Sequence, residues 1–181
     1  MARLKLIILD RDGVINHDSD DFIKSADEWQ PIEGSLQAMA RLNAAGWRIA
    51  VATNQSGIKR GYYDRACLSQ MHLKMQAQLA ALGGRVDWLN FSPYLAGCGS
   101  VCRKPLDGML RAIELRYGQA LKGLPMVGDA LTDIQAAKQA GLVPYLVRSG
   151  KGERTLAAHA GELKGVAVHA NLAAFVEEWL N

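Results

Sequence analysis

Apolar residues along this chain recur in two rhythms. Short, nearly unbroken runs occur at Leu4–Leu9, Trp47–Ala52, Val86–Phe91, Leu124–Val127, Leu142–Val147 and Val166–Val168. Runs this short and apolar are the pattern of strands buried on both faces of a parallel sheet. Between them, apolar residues repeat every three or four positions, which predicts helices. Pro31–Gly34 opens one that runs to about Ala45, with a stripe of Leu36, Met39, Ala40 and Leu42 and with Gly46 closing it. Asp64 is placed to N-cap a second, reaching about Leu82 with Leu68, Met71, Met75 and Leu79 inward. Further helices are expected at Leu106–Tyr117, at Thr132–Ala140 before Gly141, and at Leu172–Leu180, which presents Leu172, Phe175, Val176 and Trp179. Alternating strands and helices imply an α/β fold, a doubly wound, Rossmann-like parallel sheet of five to six strands with helices on both faces. Pro144 suggests that the fifth strand is an edge or that the proline sits at its start. Ser92–Cys102, rich in small residues and without periodicity, reads as a functional or mobile loop.

The first run ends in two carboxylates, Asp10 and Asp12, followed by Gly13. In an extended strand residues i and i+2 share a side, and ligands of open α/β sheets sit at the carboxyl ends of strands. The pair therefore suits a nucleophile with an acid/base partner, or a divalent metal. The second strand run leads into Thr53-Asn54-Gln55-Ser56-Gly57, small and hydrogen-bonding residues suited to an oxyanion. Further on stand Arg103-Lys104-Pro105 and then Gly128-Asp129, with Asp133 one helical turn beyond. His17, in a polar loop, reads as solvated. Ile58–Tyr63 is a basic and aromatic loop at the mouth of the expected site.

In this order, with three of the motifs after expected strands, the chain resembles the haloacid-dehalogenase-like phosphohydrolases over roughly residues 4–150. Asp10–Asn16, Thr53–Ile58, Cys102–Pro105 and Val127–Asp129 are most similar to the heptose 1,7-bisphosphate 7-phosphatases and the closely related histidinol phosphatases. The resemblance implies a capless enzyme that hydrolyses a phosphomonoester through an aspartyl-phosphate. For the heptose enzymes the substrate is a sugar bisphosphate of ADP-heptose and lipopolysaccharide-core synthesis. The runner-up is histidinol phosphate or another small phosphomonoester. Asp10 is then the nucleophile, and Asp12 the general acid and base, with a pKa expected to be raised by the neighbouring carboxylate and phosphate. Gly13 is expected to keep the turn clear of phosphate. Thr53 and the Asn54 N–H would bind phosphoryl oxygens with Lys104, and Arg103 would grip a second anionic group. Mg²⁺ suits such an oxygen-rich site. Its implied ligands are Asp10, the carbonyl of Asp12 and Asp129, with Asp133 orienting them.

The family often carries a structural zinc loop, with Cys-x-His after the third strand and Cys-x-Cys before Arg-Lys-Pro. Here those positions are Ser92 and Tyr94, then Ser100 and Cys102. Four nitrogen or sulfur ligands are not available locally, so zinc is not expected. A receiver domain, the other doubly wound fold with a phosphorylated aspartate, would carry its acceptor after the third strand, where this chain has Ser92.

Composition adds exclusions. With 181 residues, 49% hydrophobic, a single domain over residues 1–181 is expected. The net charge is +3, from 21 basic and 18 acidic side chains without a polybasic run, which argues against nucleic-acid or membrane partners. No apolar run reaches the ~20 residues of a spanning helix or resembles a signal peptide. Three cysteines fit reduced thiols. A cytoplasmic monomer is the expectation.

Overall fold

The computed structural model describes residues 4–181. Six strands, β1 (Leu6–Leu9), β2 (Arg48–Asn54), β3 (Trp88–Ser92), β4 (Pro125–Gly128), β5 (Val143–Val147) and β6 (Ala167–His169), form one sheet in the order β3-β2-β1-β4-β5-β6. Every pairing is parallel. Five helices separate the strands, α1 (Ser35–Ala44), α2 (Arg65–Ala81), α3 (Gly108–Tyr117), α4 (Leu131–Gln139) and α5 (Gly152–Ala158), and α6 (Leu172–Leu180) follows β6.

The unbroken apolar strands are explained by their two covered faces. Ile7 and Leu9 of β1 join Ile49 and Val51 in a core shared with α1, α2 and α6. Leu6 and Ile8 point the other way and join Ala50, Ala52 and Met126 against α3 and α4. All four β1 side chains are fully buried, each contributing roughly 1.5–3 kcal/mol. The inward stripes of α1 and α2 match the helical spacing: Leu36, Met39 and Leu42, then Leu68, Met71, Met75 and Leu79, are buried. Asp64 caps α2 by accepting from the Cys67 N–H at 2.8 Å.

One boundary needs correction, one open alternative is decided, and one helix was not expected. β3 starts at Trp88 rather than Val86. β5 is not an edge, because β4 and β6 flank it; β6 pairs only from Tyr145 onward, so Pro144, at the strand start, is never asked for a hydrogen bond by β6. α5 was not expected, since Gly-Glu-Arg-Thr-Leu-Ala-Ala carries no apolar stripe. Its first residue is jammed under β5: a Cβ on Gly152 would lie 1.8 Å from the Val147 carbonyl oxygen.

Candidate active site

The strand order reverses between β1 and β4, and the crevice outside such a switch point is where α/β sheets bind ligands. Asp10 leaves β1 there, its N–H held by the Val127 carbonyl at 3.0 Å. Asp129 leaves β4 beside it. Between them opens a cavity of about 320 Å³ whose wall includes Asp10, Asp12, Asn54, Arg103, Lys104, Asp129 and Asp133.

Lys104 is the electrostatic centre. Only 2% exposed, its ammonium lies 2.9 Å from Asp10 Oδ1 and 2.6 Å from Asp133 Oδ1, and it donates to the Ala52 carbonyl at 2.7 Å. Burial opposes its charge, but Asp10 and Asp133 outweigh that and hold its pKa above the ordinary lysine value. The side chain of Asn54 fixes the Lys104 backbone, accepting from its N–H at 3.1 Å and donating to its carbonyl at 3.0 Å. That side-chain role was not foreseen.

Burial pushes Asp10 up to about 7; Lys104 opposes the rise, while Asp133 and Asp12 add to it. Asp129 is raised well above the carboxylate range, by burial first and then by Asp10 and Asp133. Asp10, Asp129 and Asp133 offer oxygens within 4.8 Å of one another. Both Asp133 oxygens are engaged, one by Lys104 and the other by the Ala130 N–H at 3.0 Å. Asp129 Oδ2 accepts from the Lys151 N–H at 2.7 Å.

Two glycines make room for Asp129. A Cβ on Gly13, at φ +80, would fall 2.0 Å from Asp129 Oδ2, and one on Gly150 would fall 2.3 Å from the same atom. The space Gly13 clears is taken up by the Asp129 carboxylate. Its N–H goes to the Asn16 carbonyl at 2.8 Å and its own carbonyl accepts from Ser149 Oγ at 2.7 Å. Thr53 is buried below the cavity wall, its hydroxyl oxygen accepting from Gln55 Nε2 at 2.9 Å.

Asp12 contradicts the expectation of a raised pKa. Burial does oppose its charge, yet Arg11, Asn16 and Gln55 together bring its pKa below the ordinary value. Arg11 Nη2 donates to Oδ1 at 2.8 Å, Asn16 Nδ2 to the same oxygen at 2.8 Å, and Gln55 Nε2 to Oδ2 at 2.8 Å. Arg11 is fully buried and is backed by His72 Nε2, 3.2 Å from its Nη1. Tyr63 donates to Gln55 Oε1 at 2.6 Å. This layer under Asp12 was missed, as was Lys151 on the cavity wall; Arg60, in the basic and aromatic loop expected at the mouth of the site, lines that wall. Lys151 follows the end of β5, so the strand-end rule had the means to find it. His17 is exposed, as expected.

The loop before Lys104 is tied by Cys102 Sγ, 3.0 Å from Ser100 Oγ and donating to Ser92 Oγ at 3.4 Å. Cys98 is exposed. Arg103 donates to the Tyr94 carbonyl at 2.9 Å.

Residues 101–175 match the HAD-hydrolase-like family. A D-glycero-beta-D-manno-heptose-1,7-bisphosphate 7-phosphatase of Bordetella bronchiseptica is 52% identical over 177 residues, 98% of each chain. One from Pseudomonas putida is 54% identical over 84% of this chain and 87% of its own. The crystal structure of the B. bronchiseptica D,D-heptose 1,7-bisphosphate phosphatase, complexed with magnesium and phosphate, superposes with a TM-score of 0.94 at 53% identity, covering 97% of this chain and 98% of that one. Identity of this level over nearly the whole chain, on the same fold, shows that this chain belongs to the heptose-1,7-bisphosphate 7-phosphatase family of HAD-like hydrolases.

Proposed function

We propose that this chain is a Mg²⁺-dependent phosphatase that removes the 7-phosphate of D-glycero-D-manno-heptose 1,7-bisphosphate through an aspartyl-phosphate on Asp10. The observation that carries the reading is the buried group of Asp10, Asp129 and Asp133 around a single ammonium, Lys104. Three carboxylates and one lysine leave negative charge in excess, which adds to burial in raising the Asp10 and Asp129 pKa values. An all-oxygen donor set with excess negative charge fits Mg²⁺. Asp10, Asp129 and the carbonyl of Asp12 would hold the ion, with Asp133, both oxygens engaged, orienting Lys104. When bound, the ion neutralises the phosphoryl oxygens and lowers the pKa of Asp10.

A carboxylate oxygen of Asp10 attacks phosphorus as the bond from phosphorus to the sugar O7 breaks, and Asp12 gives the leaving oxygen its proton. Since Asp12 is ionised in the free protein, that proton arrives with the substrate, whose phosphoryl group has a pKa near ~6. Asp12, again a carboxylate, then takes a proton from water as the water opens the aspartyl-phosphate. Lys104 keeps Asp10 aimed and offsets charge building on the phosphoryl group. Arg103, on the cavity wall, is the candidate grip for the substrate's far end.

The same reading takes residues 1–181 as one domain working as a cytoplasmic monomer, without zinc and without a nucleic-acid partner. Near-balanced charge supports this, as does the lack, among the described residues, of a helix long and apolar enough to cross a membrane. Serine hydroxyls of Ser92 and Ser100 hold Cys102 where the family's zinc loop carries thiolate or imidazole ligands. Kinetics on the bisphosphate and on histidinol phosphate test the assignment. Higher kcat/KM for the bisphosphate is expected, because cationic histidinol would face Arg60 and Arg103; the reverse order overturns the choice of substrate.

A further inference from the structure

Four cations line the cavity: Arg60, Arg103, Lys104 and Lys151. Two are neutralised by carboxylates, Lys104 by Asp10 and Asp133, and Lys151 by Asp18 at 2.8 Å. The other acid of that loop on the cavity wall, Asp20, is held away by a two-armed bond to Arg154, 2.9 Å on each arm. Arg60 and Arg103 make no ion pair among the described residues. They also lie near enough to oppose each other: burial lowers the Arg103 pKa, Cys98 works against that, and the charge of Arg60 adds a smaller lowering. Two guanidinium groups facing one cavity without an anion are a binding site for one.

Arg103 is anchored by the Tyr94 carbonyl. Arg60, exposed on the loop after β2, has a different anchor. Its guanidinium carbon lies 5.8 Å from the centre of the Phe22 ring, within the range of a cation–π contact. Phe22 itself is unusual. It is the one non-glycine residue at positive φ among the described residues, at 66°, a left-handed conformation that persists only where the surroundings hold it. Its N–H is tied to the Ser19 carbonyl at 3.0 Å, and its ring packs edge-on against Tyr62 at 5.1 Å. Tyr62 and Arg60 belong to the same loop. The left-handed turn thus sets an aromatic ring on the cavity wall, between the loop that leaves β1 and the loop that leaves β2.

We propose that Phe22 is a positioning residue: its ring holds the Arg60 guanidinium on the cavity wall so that Arg60 and Arg103 together take the non-reacting anionic end of the substrate. This rests on the bisphosphate reading. It makes Arg60 a specificity-determining residue and gives the left-handed Phe22 a purpose, since any ring-bearing residue there serves and an aliphatic one does not. The contact acts on binding, not on the reacting phosphoryl group, so KM carries the effect and kcat does not.

The test compares D-glycero-D-manno-heptose 1,7-bisphosphate with the 7-phosphate monoester, in Mg²⁺, for wild type, F22L, F22W, R60M, F22L/R60M and F22W/R60M. F22L keeps the apolar bulk and removes the ring, and its melting temperature reports folding. Wild type is expected to show the lower KM for the bisphosphate. F22L should raise that KM about three- to fivefold, the size of an exposed cation–π contact, with kcat and the monoester KM unchanged. R60M should raise it at least as much, the F22L/R60M double variant should match R60M, and F22W should lower it. Should F22L fail to fold, F22W must lower the bisphosphate KM in the wild-type background and not in R60M. An unchanged KM in F22L, an equal rise on both substrates, or additive effects in the double variant overturns the inference while leaving the bisphosphate reading intact. A wild-type enzyme indifferent to the second phosphate overturns both.

Discussion

Lys104→Met removes the ammonium and keeps the length of the side chain. Lys104 is 2% exposed, and methionine would leave Asp10 and Asp133 buried without their shared counter-charge. Removing one partner of a buried pair destabilises by roughly 3–5 kcal/mol. For a chain of this size that lowers the melting temperature by roughly 6–20 °C. The loss has a definite pH dependence. Asp10 holds its proton up to about 7 in the folded protein but releases it near ~3.9 when unfolded. The folded state therefore binds more protons between these values, and the stability from Asp10 falls as pH rises through that window, levelling off above it. Without Lys104 the folded pKa moves higher, so the fall continues past neutrality. Urea denaturation of wild type and variant in EDTA, at about pH 6 and about pH 8.5, should show the wider gap at the higher pH. A gap under about 1 kcal/mol, or equal gaps at the two pH values, would refute the role of Lys104 as the buried counter-ion.

Asp10→Asn should retain the fold and lose more than ~100-fold in kcat, about 3 kcal/mol of barrier; residual turnover above that level counts against covalent catalysis at Asp10. His72, pushed down to about 3 mainly by burial, with Arg11 adding, accepts from Arg11 in its neutral form. The unfolded imidazole protonates near ~6.5, so stability falls as pH drops from there toward 3, by up to ~1.4 kcal/mol per unit. His72→Gln should flatten that part of the curve, and identical acid slopes for variant and wild type would contradict the assignment. Gly13→Ala, with its Cβ directed into the Asp129 carboxylate, should weaken Mg²⁺ binding at least ~10-fold by calorimetry, about 1.4 kcal/mol. Unaltered affinity would mean that Asp129 does not hold the ion.

What the sequence made legible was local. Asp10, Asp12, Lys104 and Asp129 all stand at or just beyond strand ends or in a distinctive tripeptide, and the structure gathers them on one cavity. The protonation of Asp12 was misjudged because only neighbouring negative charge was weighed. Arg11, adjacent in the chain, would point away if the strand continued; the chain leaves β1 at Leu9, and the guanidinium folds back onto the carboxylate. His72 and Tyr63, which brace Arg11 and Gln55, come from α2 and the loop before it, and no spacing rule links them to Asp12. Gly13 was legible as a required glycine, but its reason, the close approach of Asp129 and Gly150, exists only after β1, β4 and β5 are side by side. α5 escaped because a short helix seated by Gly152 and Thr155 has no apolar rhythm to read.

The most direct measurement is phosphorus NMR of the products formed from D-glycero-D-manno-heptose 1,7-bisphosphate in the presence of Mg²⁺. The account predicts inorganic phosphate and the heptose 1-phosphate, with the resonance of the 7-phosphate lost, and no reaction when EDTA removes the ion. Loss of the 1-phosphate resonance with the 7-phosphate retained, or equal turnover in EDTA, would contradict it.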